Sequence, residues 1–196
     1  MLRLKTFNRL RRTLPAWLIA VALVFAGSCS KPTQRNSTVA PSTKAISQVF
    51  MGRVVRIADG DTITVLDGIN AQHRIRLQGI DAPESNQAFG TQSKKNLSDM
   101  IFDREVTVEY EKTDQYGRLV GKILLDGRDI NLEQVKTGMA WHYKEYQREQ
   151  SPVDRELYAR AEDEARNARR GLWAGADPIE PSAFRKEQKR EREEAK

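Results

Sequence analysis

Alternating and helical spacings of apolar residues divide the middle of the chain into short elements. Val49–Ile57 (VFMGRVVRI) is strand-like and runs into Asp59-Gly60-Asp61, a turn signal. Thr62–Leu66 is a β-branched run closed by Asp67-Gly68, and His73–Leu77 alternates polar with apolar residues. Tight turns between these three strands predict a meander. Ala88–Phe102 then sets Phe89, Leu97, Ile101 and Phe102 at the spacing of an amphipathic helix. Val106–Tyr110 and Leu119–Leu125 are the fourth and fifth strands, split by Asp114-Gln115-Tyr116-Gly117. Asp129–Trp141 returns to helical spacing through Ile130, Leu132, Val135 and Met139. A last helix runs from near Pro152 to about Arg170, where Gly171 suits its stop.

One helix between the third and fourth strands, and more after the fifth, make an α+β, mainly β order. It predicts a five-stranded OB-fold barrel with about three helices. Trp141 and Trp173 read as core anchors. His73 and His142 read as ordinary surface or half-buried residues, because nothing near them has ligand spacing.

The flanks have a different character. A basic stretch ending at Arg12 precedes the uncharged apolar run Leu14–Ala26, which is short for a membrane span of ~20 residues. Phe25-Ala26-Gly27-Ser28-Cys29 then leads small residues into the chain's one cysteine. The pattern predicts a signal peptide over 1–28. It is similar to a bacterial lipobox, in which Cys29 becomes lipidated and anchors the protein to a membrane; ordinary cleavage after Ser28 is the other reading. Either way the chain is expected to be exported, as an envelope lipoprotein or a secreted or periplasmic protein. Residues 29–47, rich in Ser, Thr and Pro, read as a flexible tether. Residues 175–196 form a charged tail, and the mixed-sign stretch Arg185–Lys196 reads as a solvated helix or frayed end.

Charge sharpens this division. The 196 residues carry a formal net charge of +6, which invites a nucleic-acid or anionic-membrane partner. Five of the 33 basic residues, and none of the 27 acidic ones, lie within residues 1–28. The remainder is nearly neutral, and residues 48–146 hold 13 basic and 15 acidic residues. Bulk charge therefore describes the export segment. A lone cysteine also excludes a disulfide framework and a zinc site of Cys pairs.

Candidate chemistry is local. Asp61 and Asp81 are hard oxygen donors at strand ends, suited to Ca²⁺ or Mg²⁺. Glu84 lies on the same loop as Asp81, across the stiff Ala82-Pro83 step, within reach of a water beside such a metal. Arg76 and Arg118 present planar forks that match a phosphate. Three stretches, Asp59-Gly60-Asp61-Thr62, Arg76–Glu84 (RLQGIDAPE) and Asp114–Arg118 (DQYGR), together with Gly171-Leu172-Trp173, resemble the staphylococcal nuclease (thermonuclease) family in residues, order and spacing. The resemblance covers about residues 48–174, two thirds of the chain.

It implies a calcium-dependent phosphodiesterase that cleaves DNA and RNA, leaving 3′-phosphate ends. It places Arg76, Glu84 and Arg118 in the catalytic positions. It assigns Asp61, Asp81 and the Ala82 carbonyl to calcium, and Tyr116 to a substrate phosphate. Gln115 stands where the best-known member has lysine. Tyr143 or Tyr146 is positioned to stack on a base. A monomer is expected. The competing reading is a non-catalytic OB-type module that binds nucleic acid or protein; the full set of carboxylates and arginines counts against it.

Overall fold

The computed structural model describes residues 47–196. The expected signal peptide, the tether and Cys29 lie outside the described residues. Three antiparallel strands open the fold: β1 (Gln48–Ile57), β2 (Thr62–Asp67) and β3 (Gln72–Leu77). A two-residue strand β4 (Ile80–Asp81) and helix α1 (Gly90–Ile101) follow. β5 (Glu105–Thr113) and β6 (Leu119–Leu125) complete the sheet, and β7 (Arg128–Asp129) leads into α2 (Ile130–Lys136). After β8 (Trp141–His142) come α3 (Pro152–Asn167) and α4 (Pro181–Glu194), with 3-10 turns at Lys144–Glu149 and Gly171–Ala174.

β1 pairs with β2 and β5, β2 with β3, and β5 with β6, all antiparallel. A parallel pairing of β3 with β6, with Arg76 opposite Val120, closes the ring. Closure demands sharp coiling, and both long strands supply it with register shifts, at Val54/Arg56 and at Tyr110/Lys112. The result is the closed five-stranded mixed barrel of an OB-fold. Val54, Ile63, Val65, Ile75, Leu77, Val108 and Ile123 fill it. Leu97 and Ile101 of α1, Ile130 and Val135 of α2 and Tyr158 of α3 cover the same core. Full burial of each such aliphatic side chain contributes roughly 1.5–3 kcal/mol.

A second cluster joins Trp141, Ala165, Leu172 and Trp173, with the two indoles edge to face at 5.3 Å. The tryptophans are core anchors, as their sequence context implied. His142, expected at the surface or half-buried, is instead internal: it is 3% exposed and its Nε2 meets Gln150 Oε1 at 2.8 Å.

Helix ends differ from the periodicity. Phe89 takes a left-handed φ of 66°, so α1 starts at Gly90, two residues after the expected Ala88. The expected helix Asp129–Trp141 is half as long. Asp129 caps it, accepting from Leu132 N at 3.0 Å. Gly138 ends it at φ +70°, where Gly138 N donates to Val135 O and Met139 N to Gln134 O. A Cβ on Gly138 would lie 2.2 Å from the Arg170 carbonyl oxygen. Trp141 and His142 are thereby released to pair with Asp81 and Ile80. That pairing fixes the Asp81 backbone.

The solvated-helix reading of the charged tail holds, and the difference lies in what the start of that helix touches. The tail is helical from Pro181 to Glu194, with Pro181 buried. It does not stand apart from the barrel, because Gln87 Nε2 donates to Ile179 O at 2.7 Å and Arg185 contacts two carboxylates.

Candidate active site

Loops after β1 and β3 and the β5–β6 turn meet at one mouth of the barrel. They line a cleft of about 850 Å³ that holds Asp59, Asp61, Arg76, Asp81, Ala82, Glu84, Tyr116, Arg118, Tyr143, Tyr146 and Arg185. The structure thus brings together every sequence-predicted site residue among the described residues.

Local rules place each one. Asp59 Oδ1 accepts from Asp61 N at 3.0 Å, an Asx turn that aims the Asp61 side chain inward. Gly60 permits that turn to press on its surroundings. A Cβ there would lie 1.9 Å from Ser93 Oγ and 2.7 Å from the Ala82 Cβ. Gln134 Nε2 secures the turn from α2, donating to Gly60 O at 2.7 Å and to Ser93 O at 3.2 Å. Asn131, one turn earlier, donates to Gln78 O at 3.0 Å and Gly121 O at 3.1 Å, tying β6 to the β3–β4 link. Leaving one of these carbonyls buried and unpaired costs about 1–3 kcal/mol.

Asp61 Oδ2 accepts from Ala82 N at 2.7 Å and lies 3.2 Å from Arg76 Nη2. Arg76 Nη2 also donates to Asp81 Oδ1 at 3.0 Å, while its Nη1 donates to Leu77 O and Ile80 O. One guanidinium therefore holds the two aspartates face to face, with Asp61 and Asp81 6% and 2% exposed. Burial shifts their neighbourhood. It pushes the Asp59 carboxyl up to about 6, reinforced by the charge on Asp61. Burial likewise raises the Asp81 pKa, against the lowering effect of Arg185 and Arg76.

Arg118 enters from the far side, just before β6. Its Nε donates to Asp114 Oδ2 at 2.8 Å and its Nη1 to Thr62 Oγ1 at 3.4 Å. Asp114 in turn accepts from Tyr116 N and Arg118 N, so one carboxylate shapes the turn and aims the arginine. The Tyr116 ring, 70% exposed, lies 5.5 Å from the Arg118 guanidinium. Tyr143 and Tyr146, the two readings for a base-stacking residue, pack on each other with centroids 4.8 Å apart. Tyr143 also faces Arg76 at 6.0 Å, and burial pushes its phenol up to about 12.

Glu84 is half-buried at the cleft edge, and its Oε1 accepts from Arg185 Nη1 at 2.7 Å. Arg185 also reaches Asp81, at 3.2 Å from Nη1 to Oδ1 and 3.0 Å from Nη2 to Oδ2. Sequence reasoning did not single out this arginine, because nothing in a mixed-charge run distinguishes one cation from the next. Gln134 and Asn131 carried a weak signal: two polar residues at helical spacing on the apolar face of α2.

A family model described as "Staphylococcal nuclease homologue" matches residues 74–175. The chain is 43% identical over 137 residues to an "Uncharacterized endonuclease" of Haemophilus influenzae, covering 70% of this chain and 74% of that protein. An "Uncharacterized endonuclease" of Escherichia coli O157:H7 is 43% identical over 135 residues, 68% of this chain and 84% of the relative. A "Micrococcal nuclease" of Shigella flexneri is 42% identical over 150 residues, 71% of this chain and 83% of the relative. Barrel, cleft and similarity coincide, and the chain belongs to the staphylococcal nuclease family.

Proposed function

We propose that the protein is a Ca²⁺-dependent endonuclease that hydrolyses DNA and RNA and leaves 3′-phosphate ends. The observation that carries this reading is the convergence of Asp61, Asp81 and Glu84 with Arg76 and Arg118 in one cleft. Such a cleft, with a base, a charge clamp and an acidic pocket, is what phosphodiester hydrolysis requires.

The donor set fits Ca²⁺ on the chemistry of its atoms. Asp61 and Asp81 offer buried carboxylate oxygens, and the described residues that line the cleft include no histidine or cysteine. Among the described residues no group of three or more His, Cys, Asp or Glu side chains forms a metal cluster. The Ala82 carbonyl, water and phosphate oxygens would complete the shell. When bound, Ca²⁺ supplies positive charge to the phosphoryl oxygens as a Lewis acid.

The side chains do the rest. Glu84 takes a proton from a water aimed at phosphorus, in line with the 5′ oxygen. The new P–O bond forms as the P–O5′ bond breaks, the leaving 5′ oxygen takes a proton from solvent water, and Glu84 returns its proton to solvent. Arg118, held by Asp114, offers its outer nitrogens to the non-bridging oxygens as charge builds there. Arg76 keeps the two aspartates in register and presents charge from the cleft floor. Tyr116 and the Tyr143–Tyr146 pair offer aromatic faces that tolerate any base, in keeping with cleavage of both nucleic acids.

Single-stranded DNA incubated with the protein is expected to be cut in Ca²⁺ and left intact in chelator, with end-group analysis finding 3′-phosphates. Cleavage unchanged by chelator, or binding without cleavage, contradicts the proposal. We further propose export directed by residues 1–28 and acylation of Cys29. Mass spectrometry of the mature protein should find a lipid-modified Cys29 at its N-terminus; an unmodified Cys29, or a chain starting at Ser30, removes the anchor.

A further inference from the structure

Part of the acidic charge inside the cleft is offset by a residue outside the matched family segment. Asp61, Asp81 and Glu84 face Arg76 and Arg185, and Asp59 adds a further carboxyl. Arg185 sits on the two carboxylates that the hydrolytic reading needs free. Its contact with Asp81 engages both carboxylate oxygens, and its contact with Glu84 ties up the proposed base. A water in line with phosphorus and a divalent cation on Asp81 both require this guanidinium to leave.

The helix that delivers it is built to detach. Only Pro181 of α4 is buried, and beyond Phe184 every residue is exposed except the half-buried Gln188. The barrel-side hold is concentrated at the helix start: the Gln87–Ile179 hydrogen bond, buried Pro181 and the Arg185 ion pairs. Within α4, Lys189–Glu193 and Arg190–Glu194 pairs at helical spacing support the helix itself. Neither hydrophobic cluster includes a residue of α4, so a swing about Pro181 would leave both intact.

We propose that α4 is an autoinhibitory latch. Arg185 is a built-in competitor for the divalent cation and for the Glu84 base, and the cleft becomes competent only when Arg185 withdraws. The proposal rests on the calcium-dependent reading above. A latch closed about nine-tenths of the time weakens apparent cation affinity about tenfold, because only the open fraction binds.

The test is Ca²⁺ titration by calorimetry on the full chain and on Arg185→Gln and Arg190→Gln variants. Trypsin cleavage within α4, followed by mass spectrometry, is measured in parallel with and without Ca²⁺. Arg185→Gln is expected to bind Ca²⁺ about tenfold more tightly, and Arg190→Gln, which removes the same charge away from the carboxylates, to match the parent. Saturating Ca²⁺ should accelerate cleavage after Lys186 and Lys189 several-fold in the parent, while in Arg185→Gln that cleavage is fast from the outset. Equal or weaker affinity in Arg185→Gln, an equal gain in Arg190→Gln, or α4 cleavage indifferent to Ca²⁺ overturns the latch while leaving calcium binding intact. No Ca²⁺ binding by any of the three proteins overturns the calcium reading and the latch with it. Faster α4 cleavage in Arg185→Gln would then show only that the ion pairs hold the helix.

Discussion

Glu84→Gln is expected to lower kcat on single-stranded DNA by about 10²–10⁴-fold, the range a positioned general base supplies. The exchange is nearly isosteric. Glutamine keeps an oxygen that can accept from Arg185 and leaves the Glu84 N–H to Gln87 bond untouched. What it removes is the capacity to take a proton. Because Glu84 is half exposed and outside the core, the melting temperature should hold, so lost activity reports chemistry rather than unfolding. KM should change much less than kcat if Glu84 is the base, since a general base acts in the transition state. Activity within about tenfold of the parent would shift the base role to another carboxylate in the cleft. Asp59, with its pKa pushed up to about 6, would be the next to test.

Most of the barrel was legible because its signals are local. Alternation in His73–Leu77, the Asp-Gly turns and the β-branched run after Asp61 each specify a strand or its end without reference to distant residues. Long-range events were hidden. Helical spacing continues through Met139, yet Gly138 stops α2 because the chain there runs against the Arg170 carbonyl, far along in sequence. Nothing near Trp141 announces that it will pair with Asp81.

The site divides the same way. Asp61, Arg76, Asp81, Glu84 and Arg118 announced themselves as a set in a family's order. What positions them did not. Gln134 and Asn131 act by filling carbonyl valences on other elements, a role their own neighbours in sequence cannot reveal. Arg185 was hidden most deeply. Its partners lie about a hundred residues upstream, and the charge balance that gives it meaning exists only once Asp81 is buried. Near-neutrality of the folded part hides this local imbalance: carboxylates cluster in the cleft, and α4 sets the Arg185 guanidinium against two of them.

Arg118→Lys separates charge from shape, and kcat/KM is expected to fall about 10²–10³-fold although the formal charge is kept. The geometry around Arg118 gives the reason for this expectation. Arg118 spends Nε on Asp114 and places Nη1 at a long 3.4 Å from Thr62 Oγ1, with the guanidinium lining the cleft, so one planar group is both anchored and presented. A lysine ammonium is a single point: bound to Asp114 it is withheld from phosphate, and bound to phosphate it is no longer positioned. The Tyr116 ring, 5.5 Å from the guanidinium, adds a face over which a plane packs better than an ammonium. Stability should barely change, because the Arg118–Asp114 pair is partly solvated and Asp114 keeps its two backbone donors. Arg118→Ala, losing charge and fork together, should cost about 10³–10⁵-fold, as removal of an arginine that meets transferring phosphoryl charge does. The order parent, lysine, alanine in kcat/KM at constant melting temperature is the signature of a positioned fork. A lysine variant within about threefold of the parent would mean that positive charge alone is what this side of the cleft provides.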